Sequence, residues 1–181
     1  MKTRSPESER DSRKPEKRSL EEHERSFRVL PASRNDLEFT RLEVHGEKKL
    51  PAITDLADVR YWAIAAIRHL KACGREAALA EFSNPVGLFV KDTMYIFALD
   101  KAGRVVAHGS RADYVGMDFY GVEDREGYPF VKFIVDTANE HGCGWVEYRG
   151  GDPGPRGETL RLAYFQRHEE TIVCCEIPLP A

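Results

Sequence analysis

Arg161 stands near the start of an apolar run late in the chain. An inward-pointing guanidinium at such a place can hold a carboxylate through two parallel hydrogen bonds; otherwise it is an arginine facing solvent from the same strand. Tyr148 and Tyr164 each put a hydroxyl donor on an apolar ring, which suits orienting a bound oxygen while covering its carbon chain. Trp145 is either a pocket wall or ordinary core packing. His108 closes a strand ahead of a glycine-rich loop. It can donate to a carboxylate, titrate near neutral pH, or serve structurally by bonding the loop backbone. These five side chains form the candidate ligand-binding set.

Alternation along a strand restricts that set. Trp145 and Tyr148 must face opposite sides, as must Arg161 and Tyr164. Unless a bulge intervenes, only one of each pair points at a ligand.

No constellation for catalysis can be assembled. The chain has no G-x-S-x-G elbow, no H-E-x-x-H, no phosphate-cradling loop and no dinucleotide fingerprint. A Cys143–His141 dyad would sit at a helix end without an orienting third group. His141, Cys143 and His168 come from different elements with nothing to make them converge on a metal. The expectation is therefore a binding protein, not an enzyme, with no catalytic residues, cofactor or metal. Of the four cysteines (Cys73, Cys143, Cys174 and Cys175), none forms a C-x-x-C pair. They read as small apolar core residues in a reducing compartment, and the adjacent Cys174 and Cys175 would point to opposite faces of a strand.

With 41% hydrophobic and 31% charged residues, the balance is ordinary for a soluble globular protein. A net charge of −3 gives no global attraction to nucleic acid or anionic lipid. Anion affinity must be local, and no nucleic-acid partner is expected. No apolar run approaches the roughly 20 residues needed to span a bilayer. Residues 1–26 lack the apolar stretch of a secretory signal. Read as written, the chain is cytoplasmic.

The elements that must position the candidate residues emerge gradually. Residues 1–26 are almost all charged or polar, which predicts a disordered tail. Residues 27–50 carry scattered apolar side chains and read as a poorly defined linker, with an edge strand suggested over 38–44. The pattern of a single domain runs over 51–178. Leu56, Val59, Ala63, Ala66, Leu70 and Cys73 recur at three- and four-residue steps, which predicts a long helix with one buried face. Thr54 or Asp55 can cap it and Gly74 stops it. A short helix over 75–82 ends at Asn84-Pro85.

Strands at 94–99 and 104–108 flank the hairpin turn Asp100-Lys101-Ala102-Gly103. A Gly- and Asp-rich loop spans 109–127. Pro129 opens a helix that ends at Gly142, with Phe130, Phe133, Ile134 and Ala138 inward. Strands follow at 145–148, 160–166 and 171–177. Hairpins and short links make the sheet antiparallel. The long helix covers one face, and the loop and helix over 109–142 cover the other, leaving a pocket between sheet and loop. The fold class is α+β.

Several pieces of the chain fall in a recognisable order: 74–82 (GREAALAEF), 94–100 (MYIFALD), 103–108 (GRVVAH), 114–118 (YVGMD), 127–130 (GYPF) and 142–148 (GCGWVEY), then Arg161 and Tyr164. Together they resemble the single Cache domain of bacterial chemoreceptors and sensor kinases, over roughly residues 52 to 178. The resemblance implies a PAS-like five-stranded antiparallel sheet behind a long N-terminal helix. It implies sensing of a small organic anion, a carboxylate or amino acid, for signal transduction. A basic residue often stands in the family where Arg161 does. The helix over 52–71 would pass the signal to a partner protein and could pair with a second copy, since Tyr61, Ile64 and His69 lie off its apolar stripe.

Two departures from the family pattern follow. Family members usually sit outside the plasma membrane on flanking helices, and this sequence shows no such helix. The family's last strand typically carries small residues including Gly, where this chain has Cys174-Cys175-Glu176. Bulkier side chains there suggest the alternative: an interaction or scaffold domain that keeps the fold with its pocket closed.

Overall fold

The computed structural model describes residues 53–150 and 159–179. The tail expected over 1–26, the linker over 27–50, the strand at 38–44 and the side-chain cap at Thr54 or Asp55 lie outside the described residues and side chains.

Apolar periodicity sets the first helix on a sheet. Helix α1 (Ile53–Cys73) buries Leu56, Val59, Ala63, Ala66, Ile67 and Leu70. Ala63 and Ala66 are wholly buried, and their short side chains let the helix approach the strands closely. Gly74, at φ 85°, ends α1 in a backbone conformation that favours glycine. Cys73, expected on the buried face, is exposed: it lies in the final turn, where the chain bends into α2 (Arg75–Phe82). His69 turns inward instead of standing off the stripe, with its ring 6.2 Å from Phe82 and 5.2 Å from Phe89.

The five expected strands appear in order, four with longer bounds and the one at 104–108 a residue shorter, and a two-residue strand at 90–91 that was not expected joins them. They are β1 (Val90–Lys91), β2 (Met94–Asp100), β3 (Val105–His108), β4 (Cys143–Gly150), β5 (Thr159–His168) and β6 (Thr171–Pro178). All pairings are antiparallel. β1 and β3 lie end to end along one edge of β2, and β6 takes its other edge. The sheet is therefore five positions wide, ordered β1/β3, β2, β6, β5, β4. Between β2 and β3 the Asp100 carboxylate accepts the N–H groups of Ala102 and Arg104, each at 2.9 Å. Gly103 supplies the positive φ, 91°, that this turn needs.

Layers on both faces bury β6 at the centre, and its residues from Thr171 to Glu176 are all buried. On one face α1 and α2 pack over Ile96, Ala98, Tyr164, Val173 and Cys175. On the other, α3 (Phe130–His141) packs over Leu99, Phe165, Ile172 and Cys174. Each fully buried Leu, Ile or Phe contributes about 1.5–3 kcal/mol relative to exposure, so the two cores hold the sheet from both sides. In α3 the buried side is Val131, Ile134, Val135, Thr137 and Ala138. Phe130 and Phe133, expected inward, are half-buried and stand at the edge of that layer.

Candidate ligand-binding site

A cavity of about 740 Å³ lies between the open half of the sheet and the segment after β3. Its floor is made by Tyr95 and Phe97 of β2, Tyr148 of β4, Arg161 of β5 and Glu176 of β6. Its roof includes Tyr114, Met117, Phe119 and Val122, and its rim carries Asp92, Glu123, Arg111, Arg125 and Arg149. The roof is pinned to the sheet by backbone bonds. Val105 donates to Met117 at 2.9 Å, and Gly116 donates to Val105 at 2.8 Å. At its far end the Asp124 carboxylate accepts N–H groups from Glu126, Tyr128 and Arg149.

The chemistry of the floor centres on Glu176, which is 2% exposed. The hydroxyl of Tyr95 donates to its Oε1 and the hydroxyl of Tyr148 to its Oε2. Arg161 Nη1 also donates to Oε1, at 3.0 Å. Register explains the convergence. Tyr95 and Ala163 are the cross-strand partners of Glu176 on either side, and Tyr148 and Arg161 are partners of each other one step along. Tyr148 is held flat by Phe130, whose ring stacks on it with centroids 4.1 Å apart. The Arg161 guanidinium lies 5.9 Å from the Tyr95 ring centroid. Its Nε–H is buried without a partner among the described residues.

Burial pushes the Glu176 carboxyl up to about 7, against the pull of the Tyr95 hydrogen bond. Burial, followed by the adjacent Glu176 charge, raises the Tyr95 phenol well above its usual range, so it stays a donor. A buried carboxylate needs a counter-charge and donors for its lone pairs. Glu176 has both.

Strand alternation sorts the sequence-derived candidates as the parity argument requires. Arg161 and Tyr148 line the cavity. Tyr164 and Trp145 do not: they lie on the opposite face, with rings 5.0 Å apart, among the residues packed with α1. No bulge interrupts β4 or β5 to turn them round. His108 lines the cavity and also holds the loop backbone. Its Nδ1 accepts the N–H groups of Ser110 at 3.3 Å and Arg111 at 3.0 Å, while its ring stacks on Phe97. Of its three expected roles, the structure displays the loop-bonding one. Tyr95 and Glu176 were missing from the candidate set. Cys174 and Cys175 leave the cavity open, because they pack into the two cores on either side of β6.

Comparison with known proteins fits this geometry. The family model for single Cache domain 2 matches residues 69–172. The chain belongs to this family. Among solved structures, the periplasmic sensor domain of a chemotaxis protein superposes with a TM-score of 0.62 at 21% identity, covering 72% of this chain and 100% of that one. A Cache chemosensory domain described for carboxylic acid recognition gives 0.59 at 21% identity, covering 70% and 95%. A methyl-accepting chemotaxis protein from Vibrio parahaemolyticus gives 0.58 at 14% identity, covering 69% and 88%. The superpositions establish a common fold. Among curated proteins nothing matches.

The single Cache assignment makes the chain a sensor domain and corrects one expectation. A cytoplasmic address was inferred from the want of a spanning or leader segment, and that does not fix a compartment. Cache sensors are placed outside the cytoplasm, as the periplasmic chemotaxis domain illustrates. Among the described residues no helix is long and apolar enough to cross a membrane.

Proposed function

We propose that this Cache domain senses a small organic anion, a carboxylate or an amino acid, held in the cavity against Arg161, Tyr95 and Tyr148. One observation carries the reading: the cavity floor already holds a carboxylate, that of Glu176, with a guanidinium and two phenols on it. A donor set that satisfies a side-chain carboxylate satisfies a free one by the same chemistry. The buried Nε–H of Arg161 adds a further donor. Phe97, Leu99 and Val105 give apolar wall for a short carbon chain, and Asp92 and Glu123 at the rim suit an ammonium group.

Signal output follows from the layering. The roof and α1 lie on opposite faces of one sheet, so a ligand that favours one roof arrangement biases how the strands sit under α1. Tyr61 of α1 is 62% exposed and offers contact area for a second copy or a signalling partner. A thermal-shift screen against acetate, propionate, lactate, pyruvate and the amino acids tests the ligand class. At least one acid should raise the melting temperature in a saturable way, and Arg161→Ala should abolish that rise. A blank screen from folded protein over pH 5 to 8 would sink the anion reading.

A further inference from the structure

We propose that Glu176 is a tethered competitor for the anion site, so that this sensor takes up its ligand's carboxylate together with one proton. The inference rests on the anion reading and adds a regulation to it. Its basis is geometric. Arg161 Nη1, the Tyr95 hydroxyl and the Tyr148 hydroxyl, three donors from three strands, are all engaged by Glu176. Each phenol has a single proton to donate, and each gives it to Glu176.

Arg161 Nε–H is left over for an incoming carboxylate, but to bond Nη1 or either phenol the ligand has to take those donors while Glu176 stays within reach of them. Ionised, Glu176 would then share one guanidinium with a second negative charge in a buried site, an arrangement that strongly disfavours double ionisation. Neutral, it becomes a donor and can bond the ligand carboxylate directly. Besides His108 and Arg125 in the lining and Asp92 and Glu123 at the rim, the groups that face it are few. β2 presents Tyr95, β4 presents Tyr148 and β5 presents Arg161. Arg149 at the rim is paired with Glu126, and Arg111 with Asp113. Burial already holds the Glu176 carboxyl at about 7, so the required proton is available near neutrality.

The linkage has a definite sign. Above about pH 7 free Glu176 is ionised, and binding must bring in a proton. Affinity for an acid should then fall about tenfold per pH unit as pH rises, and level off below pH 7. Glu176→Gln keeps the shape without the charge. It should bind the acid with a flat profile from pH 6 to 9, and more tightly than the parent at pH 8.5.

Isothermal titration of the chain with acetate, propionate, lactate and pyruvate at pH 6, 7 and 8.5, in buffers of different ionisation enthalpy, reads both affinity and protons. Uptake of about one proton at pH 8.5, vanishing in Glu176→Gln, is the expected result. Glu176→Ala, checked for folding by its melting transition, should behave like the Gln variant. An acid that binds the parent with no proton uptake and a flat profile would overturn the competitor role while leaving the anion reading intact. Failure of every acid on parent and variants alike would remove the anion reading itself. A cationic amine that binds the parent, more tightly at higher pH, and is lost in Glu176→Gln would overturn both.

Discussion

Ala163 lies directly across from Glu176 in the β5–β6 ladder, and across from Val146 in the β4–β5 ladder. It is wholly buried, and a methyl is all it places on that face. From β4, on the far side of β5, Tyr148 bonds the carboxylate of Glu176 two strands away. Ala163 and Tyr148 share one buried layer, so a small residue stands on the strand that separates the two partners of that bond.

Enlarging Ala163 should separate the two. Ala163→Leu places a branched chain directly across from Glu176, in the layer that holds Tyr148, and should break the bond between them. Overpacking of this kind costs about 1–3 kcal/mol, visible as a lower melting temperature. Acid binding should be lost in the same variant. A stable Leu variant with unchanged binding would show that the Tyr148 bond does not depend on a small residue there.

Stability should carry a pH dependence traceable to Glu176. Its carboxyl is raised from 4.5 to about 7 in the fold. Between those values the folded protein holds a proton that the unfolded chain releases, so rising pH favours unfolding there. The contribution is fully present below about pH 4.5, lost by about pH 7, and flat above. It amounts to roughly 3 kcal/mol across the window. Exposed carboxylates add slopes of their own, so the quantity to measure is the difference between the parent and Glu176→Gln in urea unfolding at pH 5 and 8. The variant should gain on the parent as pH rises. No change in the gap would contradict the buried, raised carboxyl.

His108 should matter to the roof before it matters to any ligand. His108→Ala removes the acceptor of the Ser110 and Arg111 N–H groups, a loss on the order of 1–3 kcal/mol where such groups stay unpaired. Amide hydrogen exchange should quicken at Ser110 and Arg111 while the α1 amides hold. Equal exchange in both proteins would remove the loop-anchoring role.

What was legible in the sequence follows what is local. The step pattern from Leu56 to Leu70, the stops at Gly74 and Gly142, and the Asp100–Gly103 turn depend on neighbours in the chain. So does the parity that separates Arg161 from Tyr164 and Tyr148 from Trp145. Choosing which member of each pair faces the cavity needed the layer order, which α1 and α3 settle from opposite sides of the sheet. Glu176 was read only as bulk in the last strand. A signal was present: it is the sole charge in TIVCCEIP, a strand otherwise built for burial. Tyr95 was hidden for a different reason. Its tie to Glu176 spans 81 residues and exists only because β6 inserts beside β2.

The account turns on where a ligand's acid group rests, and a crystal structure with a bound acid at pH 6 measures that directly. The predicted result is a ligand carboxylate within hydrogen-bond distance of Arg161, Tyr95 and Tyr148, with the Glu176 side chain giving up at least one of those donors. A ligand seated elsewhere, with Glu176 still bonded to all three, would contradict it.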